Sequence, residues 1–362
     1  AVDLENPERR VWEASIEGTP LSLVAAGGRL FAATKEGRIY CFGAEDRRPV
    51  VHRWALEPLG ETAAADRARR ILQGAGVREG YAAVWGLGGG DLAFELARQS
   101  GLRILAVDPD PARVADFRKR LAAAGLYGDR VEAHAGDPRE FPWPPYVADL
   151  AVADEALAAG MAADGRFAEA LFRLLRPYGG TASFPAAVPA SEAFSRFVRT
   201  GELREREAEG RRIFVRGALP GAADWTHEHA DAANTRVSRD RIVKAPLGLL
   251  WFGGPSNEGI LPRHGHGPQP QVIEGRLLIE GVDKLRALDI YTGRLLWEAP
   301  LPGVGKFFDN TLHQPGANAS GTNFISTRDG IYVAYGRSCV KLDPATGARI
   351  GEFTLPPGPN AK

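Results

Sequence analysis

Cysteine, methionine and histidine are scarce in this chain of 362 residues, and neither sign of charge is in excess. The only two cysteines, Cys41 and Cys339, lie far apart, which excludes a CxxC metal knuckle and a disulfide framework. Forty-five Lys and Arg are matched by 45 Asp and Glu, so the formal net charge is zero. A partner gripped through its phosphate backbone, nucleic acid above all, is excluded on that balance. No apolar run approaches a membrane span, and residues 1–30 lack a basic-then-apolar signal pattern; the expectation is a soluble chain. The length exceeds a typical single core and predicts two or three domains.

Three rhythms follow one another along the chain. Residues 1–58 read as β structure, with "PLSLVAAGGRLFAAT" and "GRIYCFG" as three or four short strands, punctuated by Gly27-Gly28 and by Lys35-Glu36-Gly37. Residues 59–219 alternate Ala- and Arg-rich amphipathic stretches with the apolar runs "YAAVWG", "LRILAVD", "RVEAHAG" and "ADLAVAD". That alternation predicts βαβ units on a parallel sheet, closed by an antiparallel hairpin around Glu209-Gly210. Residues 220–362 return to short strands between Gly- and Pro-rich loops, and carry the same turn twice, Asp289 to Gly293 and Asp343 to Gly347, 54 residues apart (343 − 289). The spacing suits a four-stranded unit the size of a propeller blade.

In the middle segment Gly86, Gly88 and Gly90 follow an apolar strand and precede the helix-like "DLAFELARQSG". Glycine there permits a sharp turn and lets a ligand approach the main chain at a helix N-terminus. A dinucleotide fingerprint requires a third glycine at position 91, where Asp91 stands, and the Gly-Lys-Ser/Thr end of a phosphate loop is absent. The Gly-x-Gly-x-Gly spacing resembles the first motif of class I S-adenosylmethionine-dependent methyltransferases. "RVEAHAGDP", "ADLAVADEAL" and "LFRLLRPYGGTASF" are similar to that family's third strand, fourth strand and turn into strand five, with Tyr178 inserted. The resemblance implies Asp108 as acceptor of the ribose hydroxyls, Asp137 beside the adenine amino group, and Asp154 and Glu155 where the methyl acceptor docks. One position departs from the family: Val84 occupies the place of an acid that contacts the methionine end of the cofactor. Other roles stay open for these residues: a bare turn for the glycines, a helix N-cap for Asp108 before Pro109 and Pro111, a turn cap for Asp137, and plain surface carboxylates for Asp154 and Glu155.

"ALDIYTGRLLW" resembles the pyrroloquinoline-quinone-type propeller repeat, in which Asp and Thr close a turn, Gly takes positive φ and Trp docks between blades. "KLDPATGARIGEF" keeps the Asp, Thr and Gly but has Gly351 in place of the Trp. The repeat does not imply the quinone, since no adjacent cysteine pair exists, so a scaffold is expected rather than a quinoprotein. Five of the seven histidines fall between residues 227 and 313. His227 with His229, and His264 with His266, are candidate imidazole pairs for a transition metal; the alternative, which we favour, is polar loop residues. Trp251 and Phe252 in "PLGLLWFGGPS" are expected at a buried strand end.

These readings together predict a multidomain chain. A Rossmann-like methyltransferase domain at 59–219 is inserted between blade segments at 1–58 and 220–362. With three or four blade-like units where about four to eight close a ring, the propeller is expected to be incomplete or the chain a fragment. The implied ligand is S-adenosylmethionine, a small-molecule methyl donor, with no quinone and no metal favoured. The competing function is a non-catalytic scaffold whose propeller face binds a protein or polysaccharide, and a third is a quinone- or metal-dependent oxidoreductase. An active methyltransferase implies a cytoplasmic protein and a scaffold an exported one.

Overall fold

The computed structural model describes residues 3, 5–44, 55–153, 165–187, 191–255, 259–260, 269–304 and 323–354. Contacts divide the chain into two compact units, residues 1–55 and 56–362. The first unit holds a three-stranded antiparallel sheet of β1 (Pro20–Ala26), β2 (Arg29–Thr34) and β3 (Ile39–Phe42). Gly27 and Gly28, with φ of 56° and 71°, form the two-residue turn between β1 and β2. Positive φ at both central positions matches the twist of a hairpin, and only glycine adopts it twice without strain.

The second unit contains a seven-stranded sheet in the order β6-β5-β4-β7-β8-β10-β9. Its parallel part comprises β4 (Glu79–Trp85), β5 (Gly101–Asp108), β6 (Val131–Ala135), β7 (Leu150–Ala153) and β8 (Thr181–Pro185). The hairpin of β9 (Leu203–Ala208) and β10 (Arg211–Arg216) closes it antiparallel to β8, turning at Glu209 and Gly210, φ 54° and 68°. The strands are apolar on both faces because helices cover both. Helices α1 (Ala65–Ala75), α2 (Asp91–Gln99) and α3 (Pro111–Ala123) pack with Ala82 and Val84 in one layer. Helices α4 (Gly165–Leu174) and α5 (Glu192–Arg199) pack with Ala83 and Trp85 in the other. The expected alternation of strand and helix is therefore a doubly wound, Rossmann-like sheet.

Two four-stranded antiparallel sheets follow. They are β11 (Gln271–Ile273), β12 (Arg276–Gly281), β13 (Lys284–Asp289) and β14 (Leu295–Pro300), then β15 (Phe324–Thr327), β16 (Gly330–Tyr335), β17 (Ser338–Leu342) and β18 (Arg349–Thr354). One apolar cluster, including Leu278, Trp297, Phe324 and Val340, is shared between them. The repeated turns have matching geometry. Gly293 N donates to Asp289 O and Gly347 N to Asp343 O, both at 2.8 Å, with glycine φ of 69° and 71°.

Tryptophan marks the seam between such turns. Trp297 Nε1 donates to Pro344 O at 3.1 Å, and a Cβ on Gly347 would lie 2.5 Å from its ring. Trp251 repeats that contact one unit earlier: its Nε1 donates to Ile290 O at 2.8 Å, and a Cβ on Gly293 would lie 2.5 Å from its ring. The expected buried strand end around Trp251 is thus corrected. The segment is not a strand, Trp251 is half-buried by docking on the turn, and Phe252 is 94% exposed. No described helix is long and apolar enough to cross a membrane.

Candidate functional site

Strand β4 delivers the chain to its carboxyl end at Trp85, where the glycine loop begins. Gly86, Gly88 and Gly90 all take positive φ, 82°, 55° and 83°. Gly86 N donates to Val107 O at 2.7 Å, pinning the loop to the end of β5, and Gly90 N donates to Leu87 O at 2.7 Å. Gly90 is the N-cap of α2, and a Cβ there would sit 2.4 Å from the Phe117 ring. Close helix packing alone demands a glycine at that position. Asp91 opens α2 and is held by Arg120, whose Nη2 donates to it at 2.9 Å while Nη1 donates to Gly89 O at 2.6 Å. Val84, at the place where an acid was expected, is 1% exposed and packs in the α1–α3 layer.

Asp108 ends β5 and is 1% exposed. Its Oδ2 accepts from Leu87 N at 2.7 Å, so the carboxylate and the glycine loop are one hydrogen bond apart. Its Oδ1 accepts from Asp110 N at 2.8 Å, and Arg113 Nη1 reaches both oxygens, at 3.2 and 3.1 Å. The helix N-cap considered for Asp108 belongs to Asp110, whose carboxylate accepts from Ala112 N and Arg113 N.

Asp137 follows β6 and caps the turn it begins. Its Oδ1 accepts from Arg139 N at 2.9 Å, and Arg139 Nε reaches both oxygens, at 2.9 and 3.1 Å. The Arg139 guanidinium holds the carboxyl below its ordinary range. The structure therefore gathers Gly86, Gly88, Gly90 and Asp108 at the carboxyl ends of β4 and β5, with Asp137 at the end of the neighbouring strand β6. Ligands bind at such strand ends in open α/β sheets.

The other candidates divide. Asp154, Glu155, His264 and His266 lie outside the described residues. His227 Nδ1 bonds with Thr226 Oγ1 at 2.8 Å, and His229 Nε2 faces Arg236 Nη2 at 3.4 Å. Among the described residues no group of three or more His, Cys, Asp or Glu is placed to hold a metal. A separate cleft of about 390 Å³, lined by Tyr81, Arg103, Trp251, Phe252 and Tyr291 among others, opens at the amino-terminal half of β4 and β5. Tyr81 stands five residues before Gly86, about 16 Å along the strand, so this cleft is separate from the glycine loop.

Sequence reasoning missed the arginines that occupy the site: Arg113 on Asp108, Arg139 on Asp137 and Arg120 on the loop. A signal for Arg113 was present. With Asp110 as N-cap and Pro111 at the first helical position, residue 113 lies in the first turn of α3, directly after the strand end that carries Asp108.

Residues 84–179 match the family model of a methyltransferase domain, a stretch that runs from the end of β4 through the glycine loop, β5, β6 and β7 to the turn before β8. No curated protein matches the chain. Solved structures similar to it include a provisionally assigned S-adenosyl-L-methionine-dependent methyltransferase of Methanococcus maripaludis, 21% identical over 42% of this chain and 84% of its own, TM-score 0.34. A SAM-dependent methyltransferase of Aquifex aeolicus is 15% identical over 43% of this chain and 92% of its own, TM-score 0.33. Geranyl diphosphate methyltransferase, solved in complex with SAM, is 13% identical over 42% and 83%, TM-score 0.34.

Proposed function

We propose that residues 59–219 bind S-adenosylmethionine at the Gly86 to Gly90 loop and transfer its methyl group to an acceptor, with the flanking four-stranded sheets serving as blades of a propeller-like scaffold. The observation that carries this reading is the bond from Leu87 N to Asp108 at 2.7 Å. It sets an acidic strand end against a glycine loop that has no lysine and has an aspartate at the start of its helix. A pyrophosphate would meet two carboxylates there; a nucleoside with free ribose hydroxyls meets two acceptors.

In this reading the donor supplies a methyl group on a positively charged sulfur, and an acceptor lone pair takes that methyl as the carbon–sulfur bond breaks. The chain's own part is positioning. The glycines bring the main chain close to the ligand, Asp108 accepts from the ribose, and Asp137 holds the adenine amino group. In-line displacement draws its rate chiefly from such alignment. A second reading, a non-catalytic scaffold with a degenerate insert, is favoured by Val84, which leaves the ligand's amino group without the acid that would hold it.

Calorimetric titration of the full chain with S-adenosylhomocysteine and S-adenosylmethionine separates the two. We expect micromolar binding, about −8 kcal/mol, weakened at least about tenfold by Asp108→Ala because two hydrogen bonds to a charged acceptor are lost. Flat titrations at millimolar ligand would refute the methyltransferase reading and leave the scaffold.

A further inference from the structure

Two clefts meet at Arg103. The first is the space of about 390 Å³ at the amino-terminal half of β4 and β5, and the second, of about 500 Å³, runs on toward Arg294; Tyr81, Phe252 and Thr292 line both. Tyr81 and Arg103 are partners in the parallel register of β4 and β5, so their side chains stand on the same face of the sheet. Strand alternation leaves Arg103 exposed between the buried Leu102 and Ile104. Among the described residues its guanidinium makes no hydrogen bond and no ion pair.

The other charges around this space are engaged or lie to one side. Arg130 Nη2 donates to the Ala97, Ser100 and Leu102 carbonyls, and Glu132 bonds His134 at 3.2 Å. Asp129 lines the first cleft only, on its β6 side, whereas the second carries Arg103 and Arg294 against Glu79 alone. Arg294 adds a buried Nε that has no hydrogen-bond acceptor. Positive charge is therefore in excess where the clefts join. The walls there are aromatic and mostly fixed: Trp251 is held through Nε1 on Ile290 O, and Tyr291 is 6% exposed with its ring against Tyr146. Phe252 lines the same space with its ring in solvent.

We propose that this junction is a second ligand site, which takes a small planar aromatic carboxylate: the ring packs on Phe252 and Trp251, and Arg103 binds the carboxylate. The site stands apart from the nucleoside reading above, since neither cleft is lined by the glycine loop or Asp108. A concave space of some hundreds of Å³ with aromatic walls and one placed charge is the composition of a small-molecule site. A guanidinium fork matches a carboxylate in two parallel hydrogen bonds, and a ring laid on Phe252 takes its exposed apolar face out of water.

Calorimetric titration of the full chain with naphthoate, and with naphthamide, which keeps the plane and removes the charge, tests the assignment. We expect sub-millimolar binding of naphthoate, at least about tenfold tighter than the amide, because charge-assisted hydrogen bonds are roughly twice as strong as neutral ones. Arg103→Gln, a change at an exposed position, should abolish that preference by weakening naphthoate to the level of the amide. Phe252→Ala, also exposed, should weaken both probes by about fivefold. Flat titrations at millimolar naphthoate, equal affinity for the acid and the amide, or wild-type affinity for naphthoate in either variant would overturn the proposal.

Discussion

Replacing Arg176 with methionine should lower the thermal midpoint of the full chain by about 5–8 °C. Arg176 follows α4 in the "LLRPYGG" turn and is 8% exposed. Its Nε bonds Asp289, which is fully buried and opens the first repeated turn, and it lies 3.7 Å from the buried Asp149. Asp289 divides its oxygens between two tasks: Oδ1 accepts from Tyr291 N at 2.9 Å and Oδ2 accepts from Arg176. Among the described residues Asp149 retains Arg294, at 3.8 Å, and the Tyr81 amide at 3.0 Å once Arg176 is gone. Burial already pushes the Asp149 carboxyl upward against the pull of Arg176 and Arg294.

Removing one partner of a buried pair costs about 3–5 kcal/mol, because the other charge stays buried and uncompensated. With an unfolding entropy of about 2.1 cal/mol/K per residue, the roughly 300 residues of the larger unit give about 0.6 kcal/mol/K, hence the stated drop. Calorimetric melting of wild type, Arg176→Met, Asp289→Asn and the double variant measures it. The double variant should lose less than the sum of the singles, by more than about 1 kcal/mol, since the cycle removes both charges together. Asp343→Asn is the control. Asp343 opens the second turn and caps it through Ala345 N and Thr346 N at 2.8 Å; among the described residues it attracts Arg276 but makes no hydrogen bond to an arginine. A midpoint shift under about 2 °C for Arg176→Met, or simple additivity in the cycle, would refute the reasoning.

Two further outcomes follow from the four-stranded sheets. Burial raises the Glu280 carboxyl from 4.5 to about 7, against a weaker opposing hydrogen bond from Asn323. A raised carboxyl favours its protonated form in the folded chain, so its stability contribution is complete below pH 4.5 and is lost as pH rises through about 7. Melting from pH 5 to 9 should therefore show wild type falling against Glu280→Gln by about 3 kcal/mol in total, and parallel curves would count against a buried proton at that site. Gly347→Ala should destabilise by about 2–4 kcal/mol, because it adds a clash with the Trp297 ring to the penalty of positive φ. Gly336→Ala, at φ 61° with open space around its Cβ, should cost only about 1 kcal/mol; equal losses measured by urea denaturation would remove Trp297 from the account.

Local pattern carried most of the architecture. Each apolar run of the middle segment is a strand, the Gly27-Gly28 and Glu209-Gly210 pairs are hairpin turns, and both Asp-x-x-Thr-Gly stretches close alike. These features are set by neighbours within a few residues, where periodicity and turn chemistry act. Trp251 was misread for the opposite reason. Its partner is Gly293, 42 residues away, and a docking contact leaves no period in the sequence. The same "LLW" stretch that forms strand β14 before Trp297 stays irregular before Trp251, because no described neighbour supplies the hydrogen bonds of a ladder. Arg120 and Arg139 of the candidate site were invisible for a third reason. Charge at neutral balance says nothing about which guanidinium reaches which carboxylate, and Arg120 and Arg139 differ from their many solvated fellows only in where the fold leaves them.

The residues that suggested two unrelated families are also those that join the two kinds of sheet. Arg176 belongs to the turn that resembles a methyltransferase motif, and Asp289 to the turn that resembles a propeller repeat, and they bond one another in the core of the larger unit. Tyr146 and Tyr291 add an aromatic contact at 5.5 Å across the same boundary, with the buried Arg216 guanidinium 4.9 Å from the Tyr146 ring. A charge buried in this way is costly unless its partner is held rigidly, and each turn supplies that rigidity to the other. The α/β sheet and the first four-stranded sheet therefore share one electrostatic core, and a change at Asp289 should be felt at β7 and β8 through Arg176 and Asp149. By the same logic the glycine loop, tied to β5 through Gly86 and Asp108 at the other end of the sheet, should keep its geometry when that core is disturbed.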